Sequence, residues 1–500
     1  MSKNTNTKKD SSEVSAKRPP VVAVMGHIDH GKSTLLDYIR KTNVVDREAG
    51  GITQAVSAYE VVFKGGKITF IDTPGHAAFT KMRERSANIA DIAILVVSAE
   101  DGVKPQTIEA WKTIVESNTP FVVAINKIDK PASNIEKTKM DLAEHGIYLE
   151  NYGGNIPFVP ISAKVGTGVD ELLSMIELIA EMESFTGDSK KLARGFVIEA
   201  NMDPKRGIQA TLIIKDGYID KSLWVSAGGA VCKVRIMEDF LGKSVDEIKF
   251  SSPVRLVGFD QIPKVGAPFK CFADKNEAMD YAKEYQTSTS ESTADFSSDK
   301  KVIPVVLKAD TTGSIEAIEK EISKIKNDQA EFRIVQKGEG KITEGNIKSI
   351  AVGTDALVIG FNVKADSSAT ELAERRGVKI AYFDIIYKLS EWLEQEMEAR
   401  RPRVETEETV GRAKILKAFS KTKEKQVLGA KVVEGKINLS SMVKIIRREN
   451  AIGQAKIVNL EKNKTKVGTV EEGTEFGMML ESKLDIVPGD VIETFAIVKR

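Results

Sequence analysis

The sequence predicts a multidomain chain of α/β units and β-barrels: a phosphate-loop α/β domain, a β-barrel, a second α/β domain, a linker helix and a C-terminal β-barrel. Three observations predict it. At 500 residues the chain is too long for one hydrophobic core. Strand-like apolar runs alternate with helix-like segments over residues 20–184 and again over 301–384, as a parallel sheet with covering helices requires. Residues 185–285 and 406–500 instead carry short alternating strands with glycine turns, the pattern of small barrels.

Composition narrows the function classes. A net charge of +1 gives no global attraction for nucleic acid, so any such contact must come from local patches. The two cysteines, Cys232 and Cys271, lack metal-ligand spacing and point to a reducing compartment. No apolar run approaches transmembrane length, and the opening MSKNTNTKKDSSEVSAKRPP lacks the apolar segment of a secretory signal. Residues 1–19 are therefore expected to be a disordered tail, and the protein to be cytoplasmic with no membrane partner.

The first α/β domain opens on the buried-type run Val21 to Met25, continues into GHIDHGKS, Gly26 to Ser33, and leaves through an amphipathic helix from Thr34 to Ile39. This is a phosphate loop in its required strand-to-helix context. Gly26 and Gly31 allow backbone angles that turn the N–H groups of His27, Ile28, Asp29 and His30 inward, while Lys32, Ser33 and Thr34 begin a helix whose positive end faces the same anion. Lys32 would neutralise the β- and γ-phosphates, and the Ser33 hydroxyl would ligate Mg²⁺.

Further strand-like runs at Lys67–Asp72, Asp91–Ser98, Pro120–Ile125 and Pro157–Ile161 alternate with helix-like Lys104–Ser117 and Gly168–Glu181. Chemistry is expected at the C-terminal ends of these strands. The first carries DTPGH: Asp72 can hold Mg²⁺ through its water shell, and the Gly75 N–H can reach a γ-phosphate because no side chain blocks it. Between the two motifs, Gly50-Gly51-Ile52-Thr53 is a candidate switch loop in which Thr53 gives its hydroxyl to the metal and its N–H to the γ-phosphate.

Base choice is carried by NKID, Asn126 to Asp129. An ionised Asp129 accepts two hydrogen bonds, matching the N1–H and 2-amino donors of guanine that adenine lacks. Asn126 can tie this loop to the phosphate loop, and Lys127 can lay its stem over the base. Ser162-Ala163-Lys164 follows another strand and can offer the Ala163 N–H to guanine O6, with Lys164 over the other base face. The expected ligands are thus GTP or GDP with Mg²⁺. His76 is the catalytic candidate, orienting an attacking water, whereas His27 and His30 read as packing or partner-contact residues. Neither Arg47 nor Arg83 has a spacing that makes it an arginine finger, so slow hydrolysis awaiting an external activator is expected.

Beyond this domain, turns at Asp216-Gly217 and Gly228-Gly229 punctuate the barrel, which ends in a helical Lys275–Tyr285 stretch. The Ser/Thr-rich run at 286–300 reads as a linker. The second α/β domain at 301–384 has a KADTTGS stretch with no Lys-Ser ending, so no nucleotide is assigned to it. Residues 385–405 form a helix with apolar positions at helical spacing and a stop at Arg401-Pro402. The last segment, with turns near Glu434-Gly435 and Pro488-Gly489-Asp490, holds 18 Lys and Arg against 13 Asp and Glu. Its only aromatics are Phe419, Phe476 and Phe495, so phosphate contacts rather than base stacking would dominate any RNA binding, while a lysine-rich solvated surface accounts for the same excess.

GHIDHGKST, GGITQ, DTPGHAAFTKMR, NKIDKP and SAK, in this order, resemble the translational GTPases, and GGITQ with DTPGHAAF resembles bacterial translation initiation factor two most closely. LKAD, GSIEAI, ITEGN and IGFNV match that family's third domain. The resemblance implies ribosome-stimulated hydrolysis of GTP through His76, with both ribosomal subunits, initiator tRNA and other initiation factors as partners of a monomer. It also implies that the linker helix carries the final domain away from the rest, and that this domain holds the formylmethionyl end of the tRNA through positions matching Lys462 and Glu475. The chain departs from the family at Ala55, usually His, at Ala430 and Phe476, where the family has cysteines, and at Glu461 and Asn463 in its Lys-Arg-Tyr cluster. The long N-terminal extension of many members is reduced here to about twenty residues. An elongation-type tRNA carrier is the nearest rival, but it places two barrels directly after its GTPase domain. A nucleotide-gated RNA-binding scaffold with incidental hydrolysis is the alternative in another class.

Overall fold

A computed structural model describes residues 16–41, 53–203, 205–288, 300–350, 355–400, 405–422, 424–448, 450–463 and 465–499. The chain divides into two compact units, Met1–Arg400 and Arg401–Arg500.

The first domain of unit one is a six-stranded sheet in the order β3-β4-β2-β5-β6-β7, where β2 is Val21–Gly26, β3 Ser57–Phe63, β4 Gly66–Asp72, β5 Ile92–Ser98, β6 Phe121–Asn126 and β7 Phe158–Pro160. Only β3, at the edge, runs antiparallel to its neighbour. Every residue of β2 and β5 is buried, as strands covered on both faces must be, which explains why they read as continuous apolar runs. Helices α1 (Lys32–Arg40), α2 (Thr80–Ile89), α3 (Pro105–Glu116), α4 (Ile135–Glu144) and α5 (Val169–Met182) cover the sheet. The strand order reverses at β2, so the crevice beyond its C-terminal end is the ligand position of such folds.

Residues 16–18 do not belong to the expected disordered tail of residues 1–19. Residues 1–15 lie outside the described residues, but β1 (Ala16–Lys17) pairs antiparallel with β8 (Thr186–Gly187), and Arg18 is buried. Both Arg18 guanidinium nitrogens donate to Asp91 at 2.6 Å, and Lys215 of the following barrel donates to the same carboxylate. Burial pushes the Asp91 carboxyl up, but hydrogen bonds from Arg18 and Lys215 overcome it and hold the group below the usual carboxylate range.

Residues 194–272 close into a six-stranded barrel, with both cysteines as free, buried thiols inside it. Helix α6 (Lys275–Ser288) follows, and residues 289–299 of the expected linker lie outside the described residues. The second α/β domain is a four-stranded parallel sheet in the order Ala330–Glu339, Lys301–Ala309, Leu357–Phe361, Lys379–Phe383, with helices α7 (Thr312–Lys324), α8 (Glu344–Lys348) and α9 (Ser367–Arg376). The predicted linker helix is α10, Ile386–Arg400. It buries Ile386, Leu389, Leu393 and Met397 within unit one, as its apolar spacing requires, and residues 401–404 lie outside the described residues. One core joins Ile71, Phe79 and Met82 of the first domain, Ile198 and Ile213 of the barrel, and Leu307, Ile318 and Leu389 of the third domain with α10.

Unit two is a barrel of its own. Glu405–Lys421 pairs with Val491–Lys499 on one side and with Lys425–Asn438 on the other, which closes the ring through Met442–Arg447, Asn450–Lys462 and Glu475–Glu481. The turn expected at Glu434-Gly435 is instead a bulge inside a long strand: Val433 is the extra residue, between Val432 opposite Ala413 and Glu434 opposite Arg412, and Gly435, at φ +69°, pairs with Gly411 beyond it. Among the described residues no helix is long and apolar enough to cross a membrane.

Candidate functional site

The phosphate loop sits where β2 ends. A Cβ on Gly26 (φ +143°) would lie 2.4 Å from the Val96 carbonyl oxygen, and one on Gly31 (φ +88°) would lie 2.3 Å from Asn126 Nδ2, so only glycine fits either position. Gln106 of α3 braces the loop by accepting from the Ile28 N–H at 3.2 Å. Lys32 is buried and donates from Nζ to the His27 carbonyl oxygen at 2.7 Å. Burial lowers its pKa, and the opposing charge of Asp72 raises it against that.

Three oxygen donors meet next to it. Ser33 Oγ lies 2.8 Å from Thr53 Oγ1, and Thr53 Oγ1 donates to Asp72 Oδ2 at 3.4 Å. Ser33 lies in the first turn of α1, Asp72 ends β4 and Thr53 belongs to the segment before β3, so the fold brings the expected metal-ligand set together from three places in the chain. Gly50, Gly51, Ile52 and Arg47 lie outside the described residues. Gly75 approaches the same point: a Cβ there would stand 2.6 Å from Lys32 Nζ and 3.0 Å from the Ile28 nitrogen. Hydroxyls and a carboxylate around a lysine, with an uncovered backbone beside them, fit a hydrated Mg²⁺ and a polyphosphate.

The base loop is tied to the phosphate loop as the sequence predicts. Asn126 Nδ2 donates to the His30 carbonyl oxygen at 2.8 Å. Its Oδ1, however, accepts the Ala163 N–H at 2.9 Å, so the donor expected to serve guanine O6 is committed within the protein. The exposed Asp129 accepts from Ser162 Oγ at 2.6 Å, a bond that holds its carboxyl ionised below the usual range. Lys127, at φ +64°, pairs with Asp101 at 3.1 Å, and Lys164 flanks Ala163 at the end of β7's loop.

The histidines divide by environment. His30 is fully buried between the Val96 carbonyl and the Ser98 N–H, and burial lowers its pKa to about 3. His27 stands edge-on to it at a centroid distance of 4.8 Å, so the two rings pack on each other. His76 follows Gly75 but is buried, and its Nδ1 accepts the Ala78 N–H at 2.9 Å as cap of a short helical turn. Its ring lies edge-on to Tyr387 of α10 at 4.4 Å and to Phe79 at 6.1 Å, and burial lowers its pKa.

Three residues of this site make contacts that the sequence does not reveal. Arg83, buried on α2, donates to the carbonyls of Pro74, Gly75 and His76 and to Glu109, so it shapes the turn rather than reaching for a ligand. Gln54 and Tyr387 join the site across more than 300 residues of chain, with Gln54 bonding Asp384 and Ile386.

Residues 17–182 match the family model for the elongation factor Tu GTP binding domain, residues 192–271 that for elongation factor G domain 2, and residues 278–394 that for translation-initiation factor 2. Translation initiation factor IF-2 of Onion yellows phytoplasma is 38% identical over 509 residues, covering 99% of this chain and 82% of that protein. The chain belongs to the translation initiation factor IF-2 family. The IF-2 proteins of Bartonella tribocorum and Bartonella henselae are each 41% identical, over 96% of this chain, and the chain spans 59% of their length. The crystal structure of GDP-bound aIF5B from Aeropyrum pernix is similar at 26% identity, a TM-score of 0.49, and coverage of 96% of this chain and 92% of that one.

In this IF-2 chain the positions singled out in the last barrel lie on adjoining strands. Glu475 is exposed and pairs across from Lys431, while Lys462 is exposed near the end of the neighbouring strand. Ala430 and Phe476 face each other across the ladder and are both buried, the small residue beside the large one. Glu461 stands opposite Gly477 and accepts from Asn459 at 2.8 Å.

Proposed function

We propose that this chain is a GTP-gated initiation factor of protein synthesis that hydrolyses GTP to GDP and phosphate when the ribosome stimulates it. One observation carries the reading: Ser33, Thr53 and Asp72 converge beside Lys32 and the uncovered backbone of Gly75. Lys32 neutralises the phosphates, the N–H groups of residues 26–34 cradle them, and Thr53 and Gly75 sense the γ-phosphate. Mg²⁺, held by Ser33, Thr53 and Asp72, would supply charge neutralisation between the β- and γ-phosphates. Asp129 selects guanine, with Asn126 and Ser162 holding the loop and Lys127 and Lys164 flanking the base. His76 orients the attacking water once its ring has turned from Tyr387.

Loss of the γ-phosphate removes the contacts of Thr53 and Gly75, and that difference in free energy drives release. On the family's pattern, the C-terminal barrel takes the blocked aminoacyl end of initiator tRNA near Lys462 and Glu475. The GTP form then promotes joining of the large ribosomal subunit to the small one, acting as a monomer in the cytoplasm.

The test is nucleotide competition followed by retention of aminoacyl-tRNA on filters. GTP is expected to displace a fluorescent GDP analogue while ATP does not, and formylated initiator tRNA is expected to be retained over its unformylated and elongator counterparts. Equal competition by ATP overturns the nucleotide assignment, and equal retention of all three tRNAs overturns the initiator assignment.

A further inference from the structure

Two segments that line the nucleotide site, separated by more than twenty residues, dock on the same four residues at the start of α10. Gln54 directly follows Thr53. Its Nε2 donates to the Asp384 carbonyl oxygen at 2.8 Å, and its Oε1 accepts the Ile386 N–H at 3.1 Å. That second bond satisfies one of the N–H groups a helix leaves unpaired at its N-terminus. One residue further on, the Tyr387 ring meets His76 edge to face, at a centroid distance of 4.4 Å and an interplanar angle of 87°. The Tyr387 hydroxyl is shifted upward first by burial and then by the negative charges of Asp29 and Glu321. Tyr387 therefore packs on the histidine that follows Gly75, one residue after the N–H that Gln54 holds.

We propose that Tyr387 is a positioning residue for His76: its ring stores the imidazole against the third domain, capped on the Ala78 N–H, and releases it when Thr53 and Gln54 move. The proposal rests on the reading that His76 serves GTP hydrolysis. Edge-to-face packing holds a ring more strongly than area alone. The geometry also supplies a route for release, because Gln54 directly follows Thr53 and ties it to the first turn of α10 through two hydrogen bonds, so a shift of Thr53 is passed to the turn that carries Tyr387. Tyr387 is 42% exposed, so its replacement opens no internal cavity and the chain keeps its fold.

The experiment uses the full chain with Tyr387→Leu, Tyr387→Phe and Tyr387→Leu combined with His76→Ala. With four histidines in the sequence, the ring Cε1–H signals are resolved by NMR, and the His76 signal is assigned by its loss in the His76→Ala protein. In the nucleotide-free protein, Tyr387→Leu is expected to move the His76 signal and Tyr387→Phe to leave it in place. In single turnovers without ribosomes, Tyr387→Leu is expected to raise GTP hydrolysis about threefold to tenfold, with GTP affinity unchanged within about twofold. Tyr387→Phe should match the parent, and the gain should vanish in the double variant. A Tyr387→Leu protein with an unmoved His76 signal, or with parental turnover where the parent hydrolyses GTP, overturns the proposal. So does a Tyr387→Phe protein that behaves like Tyr387→Leu. The NMR measurement needs no nucleotide, so a moved His76 signal in a protein that never hydrolyses GTP refutes the functional reading instead and leaves the stored orientation standing.

Discussion

His76 and His30 show how differently burial acts on one side chain within a single site. The His76 ring is held by edge-on contacts with Tyr387 and Phe79 and by one capping hydrogen bond, and its proposed role in hydrolysis is open to test. Replacing it with Ala is expected to leave GTP affinity within about twofold and to lower ribosome-stimulated turnover on the order of a hundredfold, the contribution of a positioned catalytic side chain. Undiminished stimulated hydrolysis would remove His76 from the chemistry. His30 is fully buried. Burial lowers its pKa to about 3, so the folded chain keeps it neutral while the unfolded chain takes up a proton below its ordinary value of about 6.5. Its contribution to stability is complete above pH about 6.5 and is lost as pH falls toward 3, at up to about 1.4 kcal/mol per pH unit. Urea melts of unit one from pH 7.5 to 4.5 should show this as a slope that is smaller in His30→Gln, and equal slopes would rule it out.

At the scale of elements, Asp91 ahead of β5 joins the first strand, the sheet and the following barrel by accepting from Arg18, the Val21 N–H and Lys215. Asp91→Ala leaves two buried cations facing each other and is expected to destabilise unit one by about 3 to 5 kcal/mol, read as a lower urea midpoint. A midpoint within error of the parent would mean that water reaches the pair. The site itself was legible wherever its chemistry is local. The glycines, lysine and hydroxyls of residues 26–34, the carboxylates of Asp72 and Asp129 and the amide of Asn126 announce themselves because each motif packs its geometry into a few residues after a strand. The two barrels and the parallel sheets followed from strand spacing for the same reason. The rest depends on contacts that leave no local trace. Arg83 has no spacing that assigns it a role until it proves to hold three carbonyls, and Tyr387 reads as one position in a core helix until it meets His76. Helix α4 and edge strand β3 were missed because half-exposed elements carry weak periodicity. The Ala163 N–H was assigned outward because nothing in a tripeptide reveals that Asn126 already accepts it.

Across the whole molecule, each unit closes its own core, one around Leu307, Phe79 and Leu389 and the other around Leu428, Phe476 and Ile492. Calorimetry is expected to resolve two transitions. GDP at about a hundred times its dissociation constant should raise the transition of residues 1–400 by about 2.7 kcal/mol in stability while leaving that of 401–500 in place. A single transition that moves as one would contradict the division. Within the larger unit, the shared apolar interior carries a practical warning for anyone recloning this gene. Ending an expression product after the first barrel would strip Phe79 and Met82 of the neighbours that Ile315 and Ile318 provide, leaving a sticky face on a nucleotide-binding fragment. The shortest workable product in that region therefore runs to Arg400, and an insoluble shorter one would say nothing about whether the nucleotide site was correctly chosen.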